Sequence, residues 1–63
     1  MRLIDANGER IESGARIRSL HGRTYRRIIA TENGGAWGAW ADGKTARFYD
    51  AETLALFWVV CDD

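Results

Sequence analysis

Cysteine occurs once, at Cys61, so no disulfide can form within the chain. Cys61 and the single histidine, His21, are also too few to furnish a structural zinc site. Proline is absent, which leaves the turns to glycine. No long hydrophobic run is present: the longest, Leu54 to Cys61, is far too short to span a bilayer, and no membrane role is expected. The first residues break into charges at once (Arg2, Asp5, Glu9, Arg10) rather than reading as a secretory leader. With a lone reduced thiol, this predicts a cytoplasmic protein. An excess of charge of one sign is missing as well, nine basic residues being balanced by nine acidic ones.

What is present is aromatic and asymmetric. The chain is one domain of 63 residues, and one this short buries only about 60% of the surface its unfolded form exposes. Without disulfide or metal, an apolar-rich core or self-association must hold it. Trp37, Trp40, Trp58, Tyr25, Tyr49, Phe48 and Phe57 exceed what one small core needs, so some of these rings are expected to face a partner. That partner could be another protein or a second copy of the chain. Residues 1–31 carry seven Arg against three carboxylates, a net +4, whereas residues 32–63 carry a net −4. Eight of the nine basic residues are Arg, the residue suited to bidentate contact with phosphate or carboxylate. A GC-rich genome would produce the same bias.

The pattern along the chain is that of short strands and glycine turns. Arg2 to Asp5 and Glu9 to Ile11 read as a hairpin about Ala6-Asn7-Gly8. From Ala15 to Leu20 the chain alternates, with Ala15, Ile17 and Ser19 opposed to Arg16, Arg18 and Leu20, as a half-buried strand requires. After a turn at His21-Gly22-Arg23, Thr24 to Thr31 is the next strand. Ile28 and Ile29 are adjacent there, so a second layer or a bulge has to accommodate one of them. Ala36 to Gly43 follows the Asn33-Gly34 turn and ends in Asp-Gly, a strong hairpin signal leading into Lys44 to Tyr49, because a tight hairpin turn needs the positive φ that Asp and Gly tolerate. Asp50 is placed to cap a helical or 3₁₀ turn over 51–54, and Phe57 to Val60 reads as a closing strand. The rival is a helix running from Ala51 through Val60. Asp62 and Asp63 read as a frayed end.

The expected class is therefore all-β, with five to six antiparallel strands and one short 3₁₀ or helical turn near residues 51–54. In this order, Glu12-Ser13-Gly14-Ala15-Arg16-Ile17, the Tyr25 strand, the Trp strand ending in Asp-Gly and Phe48-Tyr49-Asp50-Ala51-Glu52-Thr53-Leu54 resemble Src-homology-3-like small barrels. Within that class the likeness is to KOW/Tudor-type barrels and the short barrels of bacterial and phage genomes. It covers residues 12–60 and implies fold more than activity. By analogy, a regulator or inhibitor encoded by a phage or mobile element suits the size.

A catalytic constellation is hard to build. His21 sits in a turn, Cys61 in the most apolar run, and Asp50 and Glu52 are explained by capping. Gly34-Gly35 lacks the Lys and downstream helix of a phosphate loop. Neither cofactor nor metal is expected. Plasmid-type dihydrofolate reductases use a barrel of this class as a tetramer with a Val-Gln-Ile-Tyr strand in a shared pore. Ala46-Arg47-Phe48-Tyr49 is similar only in its Tyr, with Arg47 and Phe48 replacing the residues that would meet substrate.

Binding is the expected function, and two surfaces compete for it. Trp37 and Trp40 stand three apart, hence on opposite faces of a regular strand, unless Gly38 marks a bulge. With Tyr25, Tyr49 and Arg47 they form the candidate protein-binding set, aromatic rings beside Arg being typical of interfaces. Arg16, Arg18, Arg23, Arg26 and Arg27 form the alternative, a nucleic-acid-binding face with an aromatic ring to stack a base. Against it stand the zero net charge and the option that these arginines pair with Glu9, Glu12 or Glu32.

Overall fold

A computed structural model describes residues 2–61, so the expectation for Asp62 and Asp63 lies outside the described residues. The strands are β1 (Arg16–Ser19), β2 (Tyr25–Glu32), β3 (Gly35–Ala39), β4 (Ala46–Asp50) and β5 (Trp58–Val60), with one helix, α1 (Ala51–Phe57), before β5. All strand pairs are antiparallel, in the order β4-β3-β2-β1-β5. The molecule is thus mostly β, built on one open sheet. Among the described residues, its edge strands β4 and β5 do not pair with each other. No helix among these residues is long and apolar enough to cross a membrane.

Alternation in β1 holds as expected. Ile17 is fully buried while Arg16 and Arg18 point to the other face. Ile28 of β2 is likewise fully buried, and the crowding with Ile29 is resolved by a bulge. Ile28 pairs with Gly38 and Ala30 with Trp37, leaving Ile29 as the extra, exposed residue. The irregularity therefore lies in β2. Gly38 keeps its register with Arg47, so β3 is regular against β4.

Three sequence expectations need correction. The N-terminal hairpin shrinks to a single antiparallel bridge, Ile4 to Arg10. The Asp42-Gly43 turn does not use positive φ at both residues: only Gly43 adopts it, at 72°. Asp42 contributes its side chain instead, one carboxylate oxygen accepting from the backbone N–H of Lys44 (2.8 Å) and Thr45 (3.1 Å). Those two bonds hold its carboxyl below the usual carboxylate range.

The third correction concerns the helix, which continues past residue 54 to Phe57 and takes Phe57 out of the closing strand. Asp50 caps it as expected, accepting from Thr53 N–H at 2.8 Å, and this bond lowers its pKa. The extra turn aligns Ala51, Leu54 and Trp58 on one face toward the core, while Leu56 and Phe57 point outward. The Phe57 carbonyl accepts from Leu20 N–H at 2.7 Å, which ties the helix end to β1.

The core gathers Leu3, Ile11, Ile17, Ile28, Ala36, Tyr49, Leu54 and Trp58. One charged side chain is buried with them: Asp5, 1% exposed. Its Oδ1 accepts from Asn7 N–H (2.8 Å) and Glu9 N–H (2.7 Å), and its Oδ2 from Val60 N–H (2.7 Å). Ala6 N–H donates to the Trp58 carbonyl alongside (2.9 Å), so the N-terminal segment is fastened to β5.

Candidate functional site

Arg26 is the residue around which the candidate surface is arranged. Its register partner in β1 is Ile17, which places it on the core side of the sheet at the rim. A guanidinium there needs partners, and the structure supplies four. It lies 3.7 Å from the Trp40 ring centroid and 5.9 Å from that of Trp58. Nε donates to the Tyr49 hydroxyl (3.1 Å) and Nη1 to the Tyr25 carbonyl (2.7 Å). Stacking of a cation on a ring face stabilises by about 0.5–2 kcal/mol, depending on desolvation.

Gly38 makes this packing possible. A Cβ at that position would stand 3.0 Å from Tyr49 Cε2 and 3.3 Å from Arg26 Cβ. The bare backbone lets the Tyr49 ring cross β3, reach its edge-on contact with Trp58 (centroids 5.2 Å apart) and present its hydroxyl to Arg26.

Around this stack the surface opens into a shallow hollow of about 230 Å³, lined by Arg16, Tyr25, Arg26, Arg27, Ala39, Trp40 and Ala41. Cross-strand register places Arg16 beside Arg27 and Arg18 beside Tyr25 on the outer face. The Arg16 guanidinium lies 4.4 Å from the Tyr25 ring centroid. Arg27 donates to the Gly14 carbonyl (2.9 Å) and Arg18 to the Ser19 carbonyl (3.3 Å). Arg23 is exposed in the turn between β1 and β2. Among the described residues, the hydrogen bonds of Arg18, Arg26 and Arg27 run to carbonyls and the Tyr49 hydroxyl, while Glu32 accepts from Trp37 instead. A second hollow, lined among others by Arg2, Arg10, Glu12 and Glu32, mixes both charges and offers no comparable ring.

The sequence-derived set is thus divided. Tyr25 is 39% exposed and Trp40 half-buried, both at the hollow. Trp37 projects from the outer face, packs edge-on against Phe48 (5.5 Å) and donates through Nε1 to Glu32 (2.6 Å). Tyr49 joins the core, and this is the one residue shared with the reductase-type strand. Arg47 lies on exposed β4, opposite Gly38. Neither Trp37 nor Trp40 belongs to the buried cluster, whose tryptophan is Trp58.

Two features escaped sequence reasoning. The Arg26–Trp40 stack joins residues from different strands, and only the pairing of β2 with β3 brings them together. Phe48 is one of the rings in excess of a small core, but only its register with Trp37 makes it the second ring of that outer pair. As for chemistry, His21 is exposed in a turn. Among the described residues, no three His, Cys, Asp or Glu stand together to hold a metal ion.

Compared with protein-family models, curated proteins and solved structures, the chain matches none of them.

Proposed function

We propose that this chain is a non-enzymatic binding module that takes an acidic patch of a protein partner on the arginine and aromatic surface around Tyr25 and Trp40. The observation that carries this reading is the stack of Arg26 on Trp40 at 3.7 Å. A half-exposed tryptophan fixed by a guanidinium loses little side-chain entropy when a partner packs on it, which is what makes aromatic and Arg anchors effective. The surrounding arginines supply charge-assisted donors for carboxylates.

Nucleic acid is the second reading, favoured by the absence of carboxylate partners for Arg18, Arg26 and Arg27 in their hydrogen bonds among the described residues. It ranks lower because one face each of Tyr25 and Trp40, the rings a base would stack on, is covered by arginine. The fold we propose for either role is a Src-homology-3-like barrel. Its support is the meander β1 to β4, the helix between β4 and β5, and the return of β5 beside β1.

The test compares captures from host lysate by the natural chain and by Tyr25→Ala, a substitution at an exposed ring that leaves the core intact. A protein held by the first and lost by the second, with affinity confirmed on the purified pair, is the expected result. Titration with DNA and RNA at two salt concentrations runs beside it. Steeply salt-dependent binding there, with no protein captured, transfers the function to the second reading.

A further inference from the structure

The outer side of β4 has a hydrogen-bonding pattern that fits a second copy of itself. Ala51 N–H donates to the Gly34 carbonyl (2.8 Å) and Trp40 N–H to the Thr45 carbonyl (2.9 Å). Both belong to the same register as the β3–β4 pairs. Every second residue of β4 therefore bonds to β3, namely Thr45, Arg47, Tyr49 and Ala51. The N–H and C=O groups of Ala46 and Phe48 and the N–H of Asp50 point the other way, while the Asp50 carbonyl accepts the first bond of α1, and among the described residues no strand lies on that side.

We propose that two copies of the chain dimerise by antiparallel pairing of β4 with β4, on a two-fold axis that passes beside Phe48. This register alone matches all three outward residues at once: Phe48 faces Phe48 of the second copy, and Ala46 faces its Asp50. It also keeps side chains on consistent faces, as a continuous sheet requires. Shifting it by one pairing step would set Arg47 against Arg47, whereas here Arg47 faces Tyr49 of the second copy. Antiparallel packing further brings the Lys44 end of one strand to the Asp50 and Glu52 end of the other, so opposite charges meet at both ends.

The side chains favour the same arrangement. Phe48 is 39% exposed and already packs on Trp37, so the dimer extends this pair into a row of four rings across the joint. The β4 strand carries the charges of Arg47 and Asp50 but lacks two devices that blunt an edge: it has no proline and no bulge, and its register against β3 is continuous. The surface around Tyr25 and Trp40 is not used, so the dimer and the binding function are independent.

Sedimentation over a concentration series, with amide hydrogen exchange at its two ends, tests the proposal. A dimer with Kd on the order of 0.1 mM is expected from so short a joint. Its formation should protect the amides of Ala46, Phe48 and Asp50, while those of Arg47 and Tyr49 are protected at every concentration. Ala46 is exposed and faces Asp50 of the second copy, so charge there separates pairing from folding. Ala46→Lys should tighten the dimer and Ala46→Asp loosen it, each by about three- to tenfold. A chain that stays monomeric to about 1 mM overturns the proposal. So does a dimer whose added protection falls on other amides, or one that both substitutions move in the same direction.

Discussion

At the β5 edge, the N-terminal segment lies against the strand and fastens it with a buried carboxylate: Asp5 accepts from Val60 N–H while Ala6 donates to Trp58. At the β4 edge, Phe48 is exposed and, among the described residues, no segment covers the backbone. Both strands are short and both follow or precede the same helix. The contrast shows that a 63-residue chain need not finish both edges of its sheet in the same way. Sealing β5 occupies residues that a shorter domain would leave out, and it closes the core side that holds Leu3 and Ile11. An unsealed edge is normally a liability that proteins blunt, so one left regular is a place to look for association.

The largest expected effect breaks the sealed edge. Asp5→Ala strands three backbone donors and should cost about 3 kcal/mol or more in urea unfolding. Asp5→Asn retains one carbonyl oxygen for Asn7 and Glu9 but turns an amide group toward Val60, so its cost should fall between zero and that of Ala. Equal costs for the two would mean that the bond to Val60 carries the whole effect.

At the other edge, Gly35→Ala drives a Cβ into the Tyr49 carbonyl and the Phe48 ring. Because one contact is backbone, β4 itself must move. A loss of about 1–3 kcal/mol is expected, with faster exchange of the β3–β4 amides and little change at β5. Uniform loss of protection over the whole sheet would show that the two edges are not separable.

Trp37→Phe keeps the contact with Phe48 and removes only the bond to Glu32. Its exposure limits the expected cost to below about 1 kcal/mol by thermal unfolding.

The smallest effect is in pH. The backbone N–H groups of Lys44 and Thr45 lower the pKa of Asp42, and that of Thr53 lowers the pKa of Asp50, both from 3.8. A depressed carboxylate stabilises the fold above its unfolded pKa and loses that contribution as pH falls through its folded one. Stability should therefore be level above about pH 4 as far as these two groups go, and should decline below it. Asp42→Ala and Asp50→Ala together should flatten that part of the acid limb in a series of unfolding curves, and an unchanged limb would assign it to other carboxylates.

Local chemistry was legible where it decides the outcome. Period-two alternation put Ile17 inside and Arg16 and Arg18 outside, because each side chain's face follows from its neighbours in a strand. The Asp50 cap was legible for the same reason, the carboxylate and the N–H it accepts being three residues apart. The adjacent Ile28 and Ile29 left a second layer or a bulge open, and the register of β2 on β3 has the bulge. The helix end is less legible: it falls at Phe57, between the expected turn over 51–54 and the rival helix to Val60, because Phe57 favours a strand by propensity while Leu54 and Trp58 both pack on the core.

The sequence by itself determined the all-β class, the turn positions, the faces of β1 and the helix start, since all of these rest on neighbours within a few residues. Tertiary structure decided the rest. Asp5 looks like any turn aspartate until Val60, fifty-five residues away, comes within 2.7 Å. Trp37 and Trp40 were symmetric candidates until the register of β3 gave one ring to Phe48 and the other to Arg26. Which edge is sealed and which is open depends on strand order, and strand order is a property of contacts distant in sequence that no local pattern encodes.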